Sequence, residues 1–253
     1  MFKKLLSSVG IGAAKVDTQL SKTHYVVGEK LEGVVRIQGG QTEQEIDSIY
    51  LSLLTEYEDE FNDTKVTKTA VIDKFELLHA FKIGVNETKE VPFSFTIPYE
   101  TPATLGKTNV WVQTGLDIKM AVDPQDRDYI RINPHPLVSE FLQTVENLGF
   151  RLRKVDCEKA PSVFRNRLPF VQEFEFKPYR GEFAGRLDEL EAVFTVSDHQ
   201  VDVVLQVDRR ARGFGGFLAE ALEMDESYVR FSYSRADVPA LSQTIAGIIR
   251  RYS

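Results

Sequence analysis

Residues 25–40 read YVVGEKLEGVVRIQGG, and this stretch decides the fold. Gly28-Glu29 breaks an apolar run with a two-residue turn. Leu31, Gly33, Val35 and Ile37 then alternate with Glu32, Val34, Arg36 and Gln38. A period of two puts the first set on a buried face of a strand and the second on the opposite face. The same rhythm returns further along, where Val91, Phe93, Phe95 and Ile97 face in while Glu90, Pro92, Ser94 and Thr96 face out. Pro92 cannot donate to a ladder, which predicts a sheet edge. Ile49, Leu51 and Leu53 form another inward set. A longer one holds Val110, Val112, Leu116, Ile118, Met120 and Val122, with Trp111, Gln113, Asp117 and Lys119 between them. Gly39-Gly40, Asn62-Asp63, Gly84, Pro98, Gly106 and Asp123-Pro124 punctuate these runs. Short strands at intervals of about 8–12 residues predict a β-sandwich over 15–132 rather than a βαβ fold.

The segment INPHP (132–136) marks a boundary, because two prolines around His135 favour extended backbone. The expected domains are therefore 1–133 and 134–253. Beyond the boundary Val138, Phe141, Leu142, Val145 and Leu148 take helical spacing and Gly149 follows, which predicts a helix over 138–148. Strands are predicted at 150–155, 170–176, 187–196, 201–207 and 228–233, with SDHQ (197–200) as a hairpin turn. Two more helices are predicted, near 214–223 and 238–251. In the last, Leu241, Ile245, Ile248, Ile249 and Tyr252 share a face, Asp237 is placed to cap the start, and Arg250 and Arg251 suit the negative end. The second domain thus reads as mainly β with helices added.

Hydrophobic content of 42% over 253 residues is enough to build cores, and charged content of 27% argues against wholesale disorder. A net charge of −7 argues against a nucleic-acid partner. The single Cys157 has no internal disulfide mate; it reads as a buried or idle thiol and fits a reducing cytoplasm. The opening MFKKLLSSVGIGAA imitates a signal peptide, but Ser7, Ser8, Gly10 and Gly12 interrupt its apolar region. Phe2, Leu5, Leu6 and Val9 share a helical face, which is read as a short docked helix. The alternative is a peripheral anchor at a membrane surface through residues 2–9. No other run approaches the ~20 apolar residues of a spanning helix. The expected location is cytoplasmic.

No constellation points to catalysis. His24, His79, His135 and His199 lie apart, without metal-ligand spacing. Ser197-Asp198-His199 holds the letters of a triad, but adjacent turn residues cannot converge as a triad must. Asp123, Asp126 and Asp128 in DPQDRD are read as turn residues rather than calcium ligands, and EYEDEFND (56–63) as a solvated hairpin tip. The chain is accordingly read as a non-enzyme with no cofactor and no metal.

The strongest chemical signal is VDRRARGFGG (207–216). Three readings stand for it. It is a structural strand-to-helix corner with Asp208 paired to an arginine, a docking patch for an acidic partner or a dimer mate, or a site for phosphate or lipid headgroups. Arg209, Arg210, Arg212, Phe214 and Phe217 are the candidate partner-binding residues. Basic residues also divide unevenly: residues 1–136 hold 12 Lys and 3 Arg, whereas residues 137–253 hold 3 Lys and 13 Arg. Arginine makes planar two-point contacts, so the second half is better furnished for fixed ionic contacts.

Gly28-Glu29-x-Leu31-x-Gly33-x-Val35 resembles the early strands of the arrestin-like sandwich. The chain as a whole resembles the bacterial sporulation-control proteins related to arrestins. SVGIGAAKVDT (8–18), VRIQGG (35–40), PFSFTIPYETP (92–102), LPFVQEFEFKP (168–178), LDELE (187–191), VDRRARG (207–213), AEALEMDE (219–226) and RRYS (250–253) carry that resemblance. It implies an arrestin-like amino-terminal sandwich, a second β-rich domain, and a cytoplasmic adaptor or scaffold without catalytic activity. The implied partners are other proteins of a regulatory signalling pathway, with homodimer formation and membrane-surface contact as further expectations. The resemblance supplies no catalytic, cofactor or metal residues.

Overall fold

The computed structural model describes residues 13–61, 64–118, 124–161, 164, 167–208 and 228–252. Mainly β architecture with added helices is what it shows, and contacts divide it into two compact units. The first takes 1–55, 71–98 and 109–132; the second takes 56–70, 99–108 and 133–253. The units are therefore not the contiguous pieces that a boundary at 133/134 makes, since 56–70 and 99–108 pack with the carboxyl-terminal part.

In the first unit, β1 (Lys15–Leu20), β3 (Lys30–Gln38) and β6 (Thr88–Thr96) form one antiparallel sheet in the order β1-β3-β6. The other sheet runs β4-β7-β8-β2, from β4 (Gln44–Phe61), β7 (Val110–Ile118), β8 (Gln125–Asn133) and β2 (His24–Val26), with β5 (Thr64–Ile83) paired to β4. Leu31, Val35 and Ile37 are buried as their alternation predicts, and Pro92 lies exposed on the edge strand β6. Gly33 has no room for a side chain: a Cβ there would sit 2.5 Å from the Gln19 carbonyl oxygen and 2.8 Å from Phe93 Cζ. The Thr18 and Thr114 hydroxyls, 2.5 Å apart, tie β1 to β7.

Trp111 departs from the expected pattern. Alternation puts it on the outward set, yet it is 1% exposed. Its cross-strand neighbours are Leu54 and Tyr129, and the Arg127 guanidinium lies 4.8 Å over its ring. Both faces of β7 are covered, so a period of two cannot tell in from out there. Met120 and Val122, which continue the inward set in sequence, lie outside the described residues.

In the second unit, α1 (Pro136–Asn147) is followed by β9 (Phe150–Lys159), β10 (Phe170–Pro178), β11 (Glu189–Val196), β12 (Gln200–Asp208), β13 (Tyr228–Ser234) and α2 (Val238–Tyr252). The strands make one antiparallel sheet in chain order, with Ser197 accepting and donating at the 197–200 turn. The first helix begins two residues earlier than its apolar spacing suggests, because Pro136 sits in its first turn and His135 Nδ1 accepts from Leu137 N at 3.3 Å. Burial lowers the His135 pKa, which keeps that nitrogen free to accept. Asp237 does not reach forward to cap α2; its carboxylate turns back and accepts from Ser234 N and Oγ at 2.9 and 2.8 Å. The expected helix at 214–223 lies outside the described residues.

Both helices pack on one face of this sheet. Phe141, Val145, Leu241, Ile245 and Ile249 meet Phe174, Phe176, Leu190, Val203 and Leu205 in a single core. Fully buried Phe141 meets Phe194 edge-on at 4.9 Å, and truncating such a ring costs about 3–5 kcal/mol. One irregularity interrupts the pleat. A β-bulge at Arg153 shifts the β9–β10 register, so that Leu152 faces Phe176 while Val155 faces Phe174. Residues three apart thereby share the helix-side face.

Candidate functional site

Arg209, Arg210, Arg212, Phe214 and Phe217 lie outside the described residues, as does the 2–9 segment. What the second unit does show is two sharply different sheet faces. The helix-side face is apolar. The opposite face carries Glu173, Glu175, Glu189 and Glu191 from β10 and β11, Lys154, Asp156 and Glu158 from β9, and Gln206 from β12.

Three of these acids are buried, and Glu158, Glu175 and Glu189 are only partly exposed. Glu173 and Glu191 are each 3% exposed, and Asp156 is 5% exposed. Lys154 Nζ serves several of them, at 2.8 Å from Asp156, 3.1 Å from Glu158 and 3.4 Å from Glu175. Burial works against its charge, but Asp156 and Glu158 outweigh burial and the net shift of its pKa is upward. The bulged Arg153 adds contacts of 2.9 Å to Glu175 and 3.7 Å to Glu189. Lys177 holds Glu189 from the other side at 2.9 Å. Glu173 stands differently. Burial, then the neighbouring Glu191 charge, push its carboxyl up to about 9, so it keeps its proton at neutral pH. Its Oε1 is sealed from solvent and has no hydrogen-bond partner.

Of the stretch 56–63, read from composition as a solvated hairpin tip, Asn62 and Asp63 lie outside the described residues, and the rest is strand in which Glu56 and Glu60 are exposed but Asp59 is buried. Glu56 to Glu60 continue β4, Glu58 bridges to Glu158 of β9 in parallel, and Asp59 is buried between Lys68 at 2.6 Å and Lys159 at 3.0 Å. Those two ammoniums hold the Asp59 carboxyl below its ordinary range. Beside it, Glu56, Tyr57, Glu58, Thr67, Lys107, Thr108, Asp156 and Cys157 line a pocket of about 170 Å³. Cys157 is buried and lies 3.8 Å from the Thr108 hydroxyl.

On the helix side, a groove of about 340 Å³ opens between α1 and β9. Leu142, Phe150, Leu152 and Phe176 supply its apolar part; Ser139, Gln143, Glu146 and Arg151 supply the polar part. Leu152 remains 39% exposed because the bulge turns it to this side, away from the packed centre of the core. The Arg151 guanidinium also lies 4.5 Å over the ring of Tyr179, and that of Arg180 lies 5.1 Å from the same ring. Tyr179 is 40% exposed. Gly149, at φ +99, shapes this corner: its carbonyl accepts from the backbone N–H groups of Tyr179 and Arg180.

The histidines do not converge. His24 neighbours Thr23, His79 pairs with Glu76, His135 caps α1 and His199 pairs with Asp198. In DPQDRD, Gln125 to Asp128 belong to strand β8 rather than to a turn, and Asp126 accepts from Thr18 N at 2.7 Å. Asp128 beside it is pushed up to about 6 by burial and by the Asp126 and Asp17 charges. Asp123 lies outside the described residues. No helix among the described residues is long and apolar enough to cross a membrane.

Known proteins match this arrangement over nearly its whole length. The family model described as SpoOM protein matches residues 2–211. The sporulation-control protein spo0M of Bacillus subtilis (strain 168) is 43% identical over 255 residues, covering 100% of this chain and 98% of that protein. The crystal structure of Spo0M, sporulation control protein, from Bacillus subtilis superposes with a TM-score of 0.90 at 42% identity, covering 96% of this chain and 100% of that one. This chain belongs to the Spo0M family.

Proposed function

We propose that this chain is a non-catalytic, cytoplasmic adaptor in a bacterial regulatory pathway, with an arrestin-like first unit and a second unit that binds other proteins. The regulatory role follows the name of its Bacillus subtilis relative, a sporulation-control protein. The observation that carries the binding role is the corner formed by Arg151, Tyr179 and Arg180 beside the α1–β9 groove. Arginine and tyrosine dominate the energetics of protein interfaces. Among the described residues neither Arg151 nor Arg180 makes an ion pair, although Arg153, Arg167 and Arg250 each do. Two guanidiniums held against an aromatic ring, next to exposed Leu152, fit a partner segment with a carboxylate adjacent to an apolar side chain.

The test compares wild type with Arg151→Glu/Arg180→Glu. Both are used to capture proteins from lysate, and each captured protein is then purified and its affinity measured. The adaptor reading expects a partner that binds wild type and loses at least about tenfold affinity for the folded double variant, the effect of removing ~1.4 kcal/mol. Equal affinity for both proteins removes the groove as the binding surface. A parallel variant with Arg209, Arg210 and Arg212 changed to Glu reports whether that corner shares the partner.

A further inference from the structure

One carboxylate oxygen from each of Glu173, Glu175 and Glu191 lies within 4.8 Å of the other two. Strand geometry fixes that cluster. Glu173 and Glu175 are two apart on β10 and share a face, and Glu175 pairs with Glu191 across the β10–β11 ladder. Glu175 is already held by Arg153 and Lys154. Glu173 is not held: it is 3% exposed, and its Oε1 has neither solvent nor a hydrogen-bond partner. A carboxylate oxygen sealed in this way is costly unless a proton or a cation meets it.

We propose that Glu173, Glu175 and Glu191 form a binding site for a hard divalent cation of the calcium class. The donor set is carboxylate oxygen alone, which suits calcium or magnesium and not a soft metal. Calcium is the more accommodating of the two. It takes oxygens at about 2.3–2.6 Å in flexible geometry, whereas magnesium demands a near-ideal octahedron. Arg153 and Lys154 each hold one Glu175 oxygen, and that orients the ligand as partners behind a metal site do.

The experiment is calorimetric titration of the full chain with calcium chloride at pH 7 and pH 9, beside thermal unfolding with calcium or EDTA. Wild type is expected to bind one calcium per chain, with a rise in Tm that EDTA reverses. Glu173→Gln is expected to abolish both heat and Tm rise while its Tm in EDTA stays at or above that of wild type. Glu191→Gln gives the same readout should Glu173→Gln fail to fold. Absence of calcium heat and of a Tm rise in wild type at both pH values overturns the site. Binding that survives both variants overturns it as well.

Discussion

The hydroxyl of Tyr233, on β13, donates a 2.7 Å hydrogen bond to the backbone carbonyl of Leu137 in the first turn of α1. The two residues are 96 apart in sequence, and both are buried. Burial raises the Tyr233 pKa, so the hydroxyl keeps its proton and stays a donor. Tyr233→Phe keeps the ring in the core and loses only this bond. It is expected to lower stability by about 1 kcal/mol, read as a lower urea midpoint with an unchanged m-value.

Gly149 closes α1 in the left-handed region, at φ +99. A Cβ there would also collide with the carbonyl oxygen of Arg180. Gly149→Ala is expected to cost at least about 2 kcal/mol, from the left-handed penalty and the forced backbone shift together. Because the Gly149 carbonyl also accepts from Tyr179 and Arg180, the variant should weaken partner capture through the groove even where it remains folded. A chemical denaturation curve and the affinity measurement check the two halves.

Asp128 is pushed up to about 6, by burial first and then by the charges of Asp126 and Asp17. A carboxyl whose folded pKa exceeds its unfolded value binds more protons in the folded state. Its contribution to stability is therefore present at low pH and lost as pH rises from about 4 to about 6. Asp128→Asn removes that loss. Discounted for its partial solvent exposure, the expected gain at pH 7 is about 1 kcal/mol, with a flatter stability profile between pH 4 and 6. Midpoints measured across that range decide it.

Trp111 is the single tryptophan of the chain and belongs to the first unit. Its burial predicts blue-shifted emission that moves to the red when that unit unfolds. Far-UV circular dichroism reports both units. Coincident transitions by the two probes mean that the units unfold together; separated transitions mean that the first unfolds on its own.

The strands were legible wherever one face is buried and the other is wet. Leu31, Val35 and Ile37, or Val91 and Phe93 against Pro92, alternate cleanly for that reason. Legibility ended where both faces are covered. Trp111 reads as an outward residue and is buried. Alternation along 170–176 sets Glu173 and Glu175 opposite Phe174 and Phe176 but does not say that their face is covered, and Glu173 is as buried as the core. A composition of EYEDEF suggests a loop tip, and it is strand because Lys68 and Lys159 meet Asp59 from β5 and β9. The α1–β9 groove could not be foreseen, since it depends on one bulged residue, Arg153, that breaks the period of two.

By itself the sequence determined the local structure of this protein: strand periodicity, the helix that Gly149 stops, the turn at Gly28-Glu29, and the family. These come from spacing and backbone chemistry within a few residues. Only the tertiary structure decided which charges are buried and which of the described arginines stand without a carboxylate. Burial and pairing are set by residues distant in the chain, as Lys154 is to Glu175 and Asp59 is to Lys159. The desolvation that makes Glu173 unusual exists only once the strands have assembled.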